Sequence, residues 1–346
     1  MRGIFWEVTS RCNLRCMHCY LHEELTSLST DPYELDTLEC KRLIDQFEEA
    51  GVFYVTVLGG EPFCRPDFIT ILQYLGEKKF WTSLDTNGTL LDKMAAETLG
   101  AITIKNLNVS MEGPRPEIHD AIRGAGAYEK TIRGIENLTE CEVQFRIGMI
   151  VNKMNYPHVE EMAEFCLDIG AQDAGFSLYV DSPSNRFSSM LRMNRREIFA
   201  AARKITEVKE RFPKGFIKSD IDGNLAFLSA NPEEYTRSKN LIPCGLGKTQ
   251  ATILNNGDII PCTYMRTIVV GNVREIHVSE IAQTPQMRKM RELGTLAADT
   301  AIEQCRSCRW KYFCGGGCRA RSYLEYGDLV SPDPLKCLLA GVDACE

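Results

Sequence analysis

The sequence predicts an α/β fold: a parallel sheet arranged as a partial (β/α)6 barrel, followed by a small cysteine-rich module. Three observations predict it. Six apolar, strand-like runs alternate with helix-length segments over the first 211 residues or so. After about residue 214 the pattern changes to short, turn-rich strands. Finally, the 15 cysteines are bunched: three lie within residues 12–19, four within 305–318, and none between Cys166 and Cys244. A chain of 346 residues has room for one large α/β domain and a smaller module.

The strand-like runs are 3–9 (GIFWEVT), 51–58, 79–86, 102–111, 142–151 and 174–180. Helical patterns fall at 36–50, 66–78, 89–98, 127–138 and 155–169, and a further periodic helix at 194–211. A strand followed each time by a helix implies right-handed crossovers and a parallel sheet. In the later part, ATILNNGDIIPC carries Asn256-Gly257, a hairpin signal. The expected division is residues 1–212, a bridging stretch 213–240, and residues 241–346.

Forty basic and 47 acidic residues leave a net charge of −7. An acidic surface argues against a groove that tracks phosphates, so no nucleic-acid partner is expected. No apolar run approaches the roughly 20 residues that span a bilayer, and MRGIFWEVTS lacks a secretory h-region. The expectation is a cytoplasmic protein without a membrane partner. In a reducing compartment so many cysteines point to metal or redox chemistry rather than disulfides.

Cys12, Cys16 and Cys19 form C-x3-C-x2-C directly after the first strand. Three thiolates at this spacing can hold three irons of a [4Fe–4S] cube and leave the fourth iron open to a ligand. The C-terminal end of a parallel strand is where such folds build sites. A closed zinc site with His18 as fourth ligand is the alternative.

At these residues the chain resembles the radical S-adenosylmethionine (SAM) superfamily, and the resemblance continues through the first domain. Gly59, Gly60 and Glu61, in GGEP, follow the second strand where that family binds the methionine amine of SAM. Glycines let backbone approach, and a carboxylate or carbonyl meets the ammonium. The resemblance places Asn87, in DTNG from Asp85, and Ser110 against the SAM carboxylate or ribose. It makes Arg123 the carboxylate's partner, with an ordinary surface ion pair to Glu112 as the alternative. Glu112 stands where many relatives have Asp. His18 stands where the family favours an aromatic residue beside the adenine.

The second motif begins at Cys244: twelve residues, Gly257, four residues, Cys262. Cys305, Cys308, Cys314 and Cys318 follow as C-x2-C-x5-C-x3-C, and then Cys337. The last four-cysteine run alone would also suit a zinc ribbon. The whole pattern resembles the seven-cysteine SPASM domain, which implies two auxiliary [4Fe–4S] clusters beside the SAM-binding one, three in all. By that resemblance Cys305, Cys308, Cys314 and Cys337 hold an outer cluster, and Cys244, Cys262 and Cys318 an inner one. The inner set is one ligand short; Cys345 is a spare, or the site is open. Gly315-Gly316-Gly317 would let bare backbone offer N–H groups to sulfide. Cys40, Cys64, Cys141 and Cys166 read as core or near-core thiols.

The family's chemistry is one-electron cleavage of SAM to methionine and a 5′-deoxyadenosyl radical, which takes hydrogen from a substrate C–H bond. The leading substrate is a ribosomally made peptide, ahead of a tetrapyrrole side chain, which the opening FWEVTSRCNLRC and GNVRE (271–275) suggest. A sulfatase-maturase-like or aminocyclitol dehydrogenase is weaker, because Thr263 stands where maturases carry Asp. A purely electron-carrying protein would not need the SAM motifs. Implied partners are a peptide or small-molecule substrate and an electron donor such as flavodoxin or ferredoxin. The first strand begins by residue 4, so no N-terminal leader-binding domain is expected.

Overall fold

The computed structural model describes residues 1–21, 25, 33–181, 185–234, 245–296 and 301–342. Seven parallel strands run in chain order across one sheet: β1 (Gly3–Glu7), β2 (Tyr54–Leu58), β3 (Trp81–Thr86), β4 (Asn106–Ser110), β5 (Arg146–Val151), β6 (Ala174–Leu178) and β7 (Ile217–Ser219). The helices between them are α1 (Thr37–Glu49), α2 (Phe68–Gly76), α3 (Lys93–Ala101), α4 (Pro116–Arg123), α5 (Ala127–Glu140) and α6 (Val159–Asp168). A longer helix, Arg195–Arg211, precedes β7. The expected alternation of strand and helix is present, and the sheet stays open, with β7 at one edge.

Alternation within each strand divides the sheet into two faces. Ile4, Trp6, Val55, Val57, Leu107, Val109, Ile147 and Met149 are buried in the main core with Leu43, Ile44 and Phe47 of α1. Trp6 meets Phe47 edge-on at 5.8 Å. Each such side chain contributes about 1.5–3 kcal/mol through removal from water. The intervening residues include Glu7, Asp85, Asn108, Ser110 and Arg146. This second face mixes those polar side chains with Phe5, Leu58 and Ile150.

Helix boundaries follow local chemistry. Asp36 caps α1: it accepts from Glu39 N at 2.7 Å, while Glu39 reaches back to Asp36 N at 2.8 Å. The sequence reading did not anticipate α4, because its buried face is His119, Ile122 and Arg123 rather than an apolar stripe. It also missed β7, whose three residues are too few to show a period.

The C-terminal part joins the same sheet. Strand β8 (Gln250–Ile253) lies parallel to β1, pairing Gly3 with Gln250 and Trp6 with Ile253. Strands β9 (Asp258–Ile260) and β10 (Gly271–Asn272) extend that edge in antiparallel fashion. The Asn256-Gly257 turn is where the hairpin signal put it, with Gly257 at φ +87°. Arg274 binds Glu39 of α1 at 2.6 and 3.0 Å and fastens the module from the side. No helix among the described residues is long and apolar enough to cross a membrane.

Candidate active site

The loop after β1 carries Cys12, Cys16 and Cys19, and main-chain bonds from three directions hold it. Gly60 N donates to Thr9 O at 2.9 Å and Glu61 N to Arg11 O at 2.7 Å, from the β2 end. Met17 N donates to Ile122 O of α4 at 2.8 Å. Arg65 donates to Val8 O at 2.8 Å and to Leu35 O at 2.7 Å, and Arg11 pairs with Glu34 at 3.1 Å. A Cβ on Gly60 would overlap the Arg11 carbonyl, one residue before Cys12. Gly60→Ala is therefore expected to displace the cysteine loop and weaken SAM binding at least tenfold, about 1.4 kcal/mol. Equilibrium binding of SAM to the reconstituted protein measures this, with Gly223→Ala, whose Cβ meets nothing, as control. Unchanged affinity in Gly60→Ala would refute the close approach.

The three thiols crowd one another. Burial first, then Glu61 and Cys16, push Cys12 up to about 11. Burial and then Cys16 push Cys19 up to about 12. Cys16 is likewise raised by burial, against the opposing pull of Arg123. Such a pocket resists three bare thiolates and welcomes a multi-iron cation that neutralises them. Among the described residues no three His, Cys, Asp or Glu side chains converge on a single-ion position. A cubane does not require that, since each thiolate binds its own iron corner.

Glu61 is fully buried, and its carboxylate accepts from Thr86 Oγ1 at 2.8 Å, Asn87 N at 2.7 Å and Phe63 N at 3.2 Å. Burial pushes it up to about 7, against those three bonds. It thus fastens the ends of β2 and β3 together. The Asn87 side chain donates to Asn13 Oδ1 at 2.9 Å and accepts from Thr89, which links the β3 end to the cysteine loop. Ser110 ends β4 opposite Gly148.

Arg123 and Glu112 do form an ion pair, at 2.7 and 3.1 Å, but it is buried rather than on the surface. Their helix and strand end pack against the cysteine loop, a placement that residue spacing alone does not reveal. The other Glu112 oxygen accepts from Ile150 N at 3.0 Å. Burial alone would raise Glu112, but His18 and Arg123 beside it hold its carboxyl below the usual range. Burial pushes His18 down to about 4, against the pull of Glu112. Its Nε2 lies 3.4 Å from Glu112, and its buried Nδ1 has no hydrogen-bond partner. An orphaned polar atom beside the cysteine loop suits a polar ligand such as SAM.

At the other end of the chain, Cys305, Cys308, Cys314 and Cys337 line one cavity with Trp310, Gly316 and Lys336. Burial, then Cys308, pushes Cys305 up to about 11, and burial, then Cys314 and Cys305, pushes Cys337 up to about 12. Burial, then Asp333 and Cys305, does the same to Cys314, to about 12. Gly315, Gly316 and Gly317 are all left-handed, at φ +66°, +83° and +73°. Only glycine adopts three such residues in a row without strain, and Gly316 N–H turns onto the Cys314 sulfur. Cys262 and Cys318 come together around Tyr264, whose phenol they push up after burial does. Cys244 and Cys345 lie outside the described residues.

Between the two cysteine regions lies a constellation that the motif reading passed over. Arg266 grips Glu7 of β1 with two bonds, 2.7 and 3.0 Å. Its guanidinium stands over the Tyr20 ring at 5.9 Å, and Tyr20 meets Tyr264 at 5.3 Å. Tyr20 is 39% exposed, and burial of its hydroxyl end, then Glu7, raises the phenol. On the same face of the sheet as Glu7, burial pushes Asp85 up to about 6, opposed by a bond from Asn108 and by Arg146. Arg146 pairs with Asp173 at 2.9 Å. The available signals were proximity and phase: Tyr20 adjoins Cys19, Tyr264 is two residues past Cys262, and Glu7 interrupts an apolar run.

Comparison with known proteins fits this architecture. Residues 6–166 match the radical SAM superfamily model and residues 244–309 match the SPASM iron–sulfur cluster-binding domain. The chain belongs to the radical SAM enzymes, in their SPASM subgroup, and binds SAM. It is 29% identical over 344 residues to the AdoMet-dependent heme synthase of Methanosarcina barkeri, covering 96% of this chain and 95% of that one. It is also 29% identical to the mycofactocin maturase MftC of Mycobacterium ulcerans, covering 95% and 86%. In fold it is similar to SuiB of Streptococcus suis in complex with the precursor peptide SuiA, with TM-score 0.77 and 19% identity, covering 97% of this chain and 75% of that one.

Proposed function

We propose that this enzyme abstracts hydrogen from a C–H bond of a ribosomally made peptide, and that it carries three [4Fe–4S] clusters. Cys12, Cys16 and Cys19 would hold the SAM-binding cluster, with the Gly59-Gly60 backbone, Asn87, Ser110 and Arg123 around SAM. Cys305, Cys308, Cys314 and Cys337 would hold one auxiliary cluster, and Cys262 and Cys318, with Cys244, the other. When bound, the reduced cluster supplies one electron to SAM, giving methionine and the 5′-deoxyadenosyl radical that takes the hydrogen. The chain's own residues hold the reactants and exclude water: His18, Arg123 and Glu112 form a dry wall beside Cys16, and Tyr20 and Tyr264 form another towards Cys262. A small iron–sulfur or flavin protein would deliver the electron.

The observation that carries the peptide reading is the charge near Tyr20 and along the second face of the sheet. Among the described residues there, Arg266 is engaged with Glu7 and Arg146 with Asp173, and Asp85 adds a further acid. A tetrapyrrole bearing several propionates would meet carboxylates there, each like-charge contact being costly when desolvated. Uncharged peptide amides would not. The tetrapyrrole reading has its own support in the near full-length similarity to a heme synthase, although the maturase relative stands at the same identity. A direct comparison separates the two readings. The reconstituted enzyme is given SAM and dithionite with either a short peptide encoded beside its gene or an iron-loaded propionate tetrapyrrole. A mass change in the peptide, with matching 5′-deoxyadenosine, is expected. Conversion of the tetrapyrrole and inertness of the peptide would reverse the assignment.

A further inference from the structure

One carboxylate ties together the two groups of C-terminal cysteines. Asp333 is 1% exposed. Its Oδ2 accepts from Cys318 N at 2.7 Å. Its Oδ1 accepts from Leu335 N at 3.0 Å and Lys336 N at 3.3 Å, which caps the helix Pro334–Ala340 that carries Cys337. The Asp333 carbonyl takes Cys337 N at 3.0 Å. Arg321 clamps the carboxylate at 2.6, 2.9 and 3.2 Å. A Cβ on Gly317 would overlap Asp333, so the left-handed glycine before Cys318 is what admits it.

The carboxylate of Asp333 is one main-chain hydrogen bond from Cys318 of the second group, and its charge faces three thiols of the first, Cys305, Cys314 and Cys337. Its partner Arg321 is near enough to Cys318 for that thiol to act on it. A carboxylate that accepts the N–H of one ligand and caps the helix of another orients both, as outer-shell groups do at metal sites. A buried charge hydrogen-bonded to a ligand's N–H also enters the reduction potential of an iron–sulfur cluster, together with net charge and hydrogen bonding.

We propose that Asp333, clamped by Arg321, is a positioning residue shared by the two auxiliary clusters, and that it sets their reduction potentials jointly. This rests on reading the C-terminal cysteines as ligands of two clusters. In Asp333→Asn the single amide oxygen can accept from Cys318 N or from the helix N–H groups but not from both, and the negative charge is gone. Both auxiliary potentials should rise while that of the SAM-binding cluster stays put. In Arg321→Gln the carboxylate and its backbone bonds remain without their counter-charge. Both auxiliary potentials should then fall.

The experiment is a potentiometric titration followed by EPR, on the anaerobically reconstituted full chain and on each variant. Paired shifts of opposite sign in the two variants are the expected result. A shift confined to one auxiliary cluster, or none at all, overturns the shared role. Should Asp333→Asn fail to load iron, Arg321→Gln, which keeps every backbone bond of Asp333, decides by the same criterion. A wild-type protein that binds only about four iron overturns the ligand reading itself, and the shared role with it. Iron analysis of the wild type distinguishes that outcome from an unshifted potential.

Discussion

A variant with Cys12, Cys16 and Cys19 all replaced by alanine should make no 5′-deoxyadenosine from SAM and dithionite, with or without substrate. Two of these thiols are buried and the third is half-buried, and no other cysteine is placed on their loop. Cys64, near Cys12, sits in the short helical turn after Glu61 and belongs to the β2 end. Without the three thiolates no protein ligand remains to hold the cube, and electron delivery to SAM ends. A drop of three orders of magnitude or more, equivalent to about 4 kcal/mol in the barrier, is expected by chromatography of the nucleoside product. Replacing three desolvated thiols by smaller methyl groups should cost the fold little. Circular dichroism of the variant should therefore match the wild type. Appreciable 5′-deoxyadenosine from the triple variant would show that the radical source lies elsewhere.

Replacing Cys305 and Cys308 with alanine should divide the chemistry differently. These residues line the cavity with Cys314 and Cys337, and none of the cysteines of the β1 loop lines it. Iron is expected to fall from about twelve to about eight per chain, read by metal analysis. SAM cleavage without substrate should persist near the wild-type rate, while product formation ceases. Stoichiometric zinc in the wild type, with iron near four, would instead identify the four-cysteine cavity as a structural zinc site. Loss of uncoupled cleavage in the double variant would mean that the cavity supports the first site directly.

Much of this was legible in the sequence, for identifiable reasons. Strands β1 to β6 and their helices carry long apolar periods, so position and type follow from local pattern. The cysteine motifs are legible because spacing along a short loop limits where thiols can point. The hairpin at Asn256-Gly257 is legible because its backbone demands positive φ. Where a segment is short or its buried face is polar, local pattern fails. Thus β7 went unseen at three residues, and α4 went unseen because it buries a histidine and an arginine.

The sequence by itself therefore determined the class of enzyme: a parallel α/β sheet with three thiols at a strand end and a second cysteine module. Only the tertiary structure decided how these parts meet. That β8 pairs with β1 depends on residues some 250 positions apart, and no local preference encodes that register. That Glu112 and Arg123 are a buried pair depends on what packs over them. Glu61 is occupied in fastening β3, and Asp333 caps one cysteine helix while holding the N–H of Cys318, for the same reason. A buried polar atom must find a partner, and which partner it finds is settled only when distant segments are brought together.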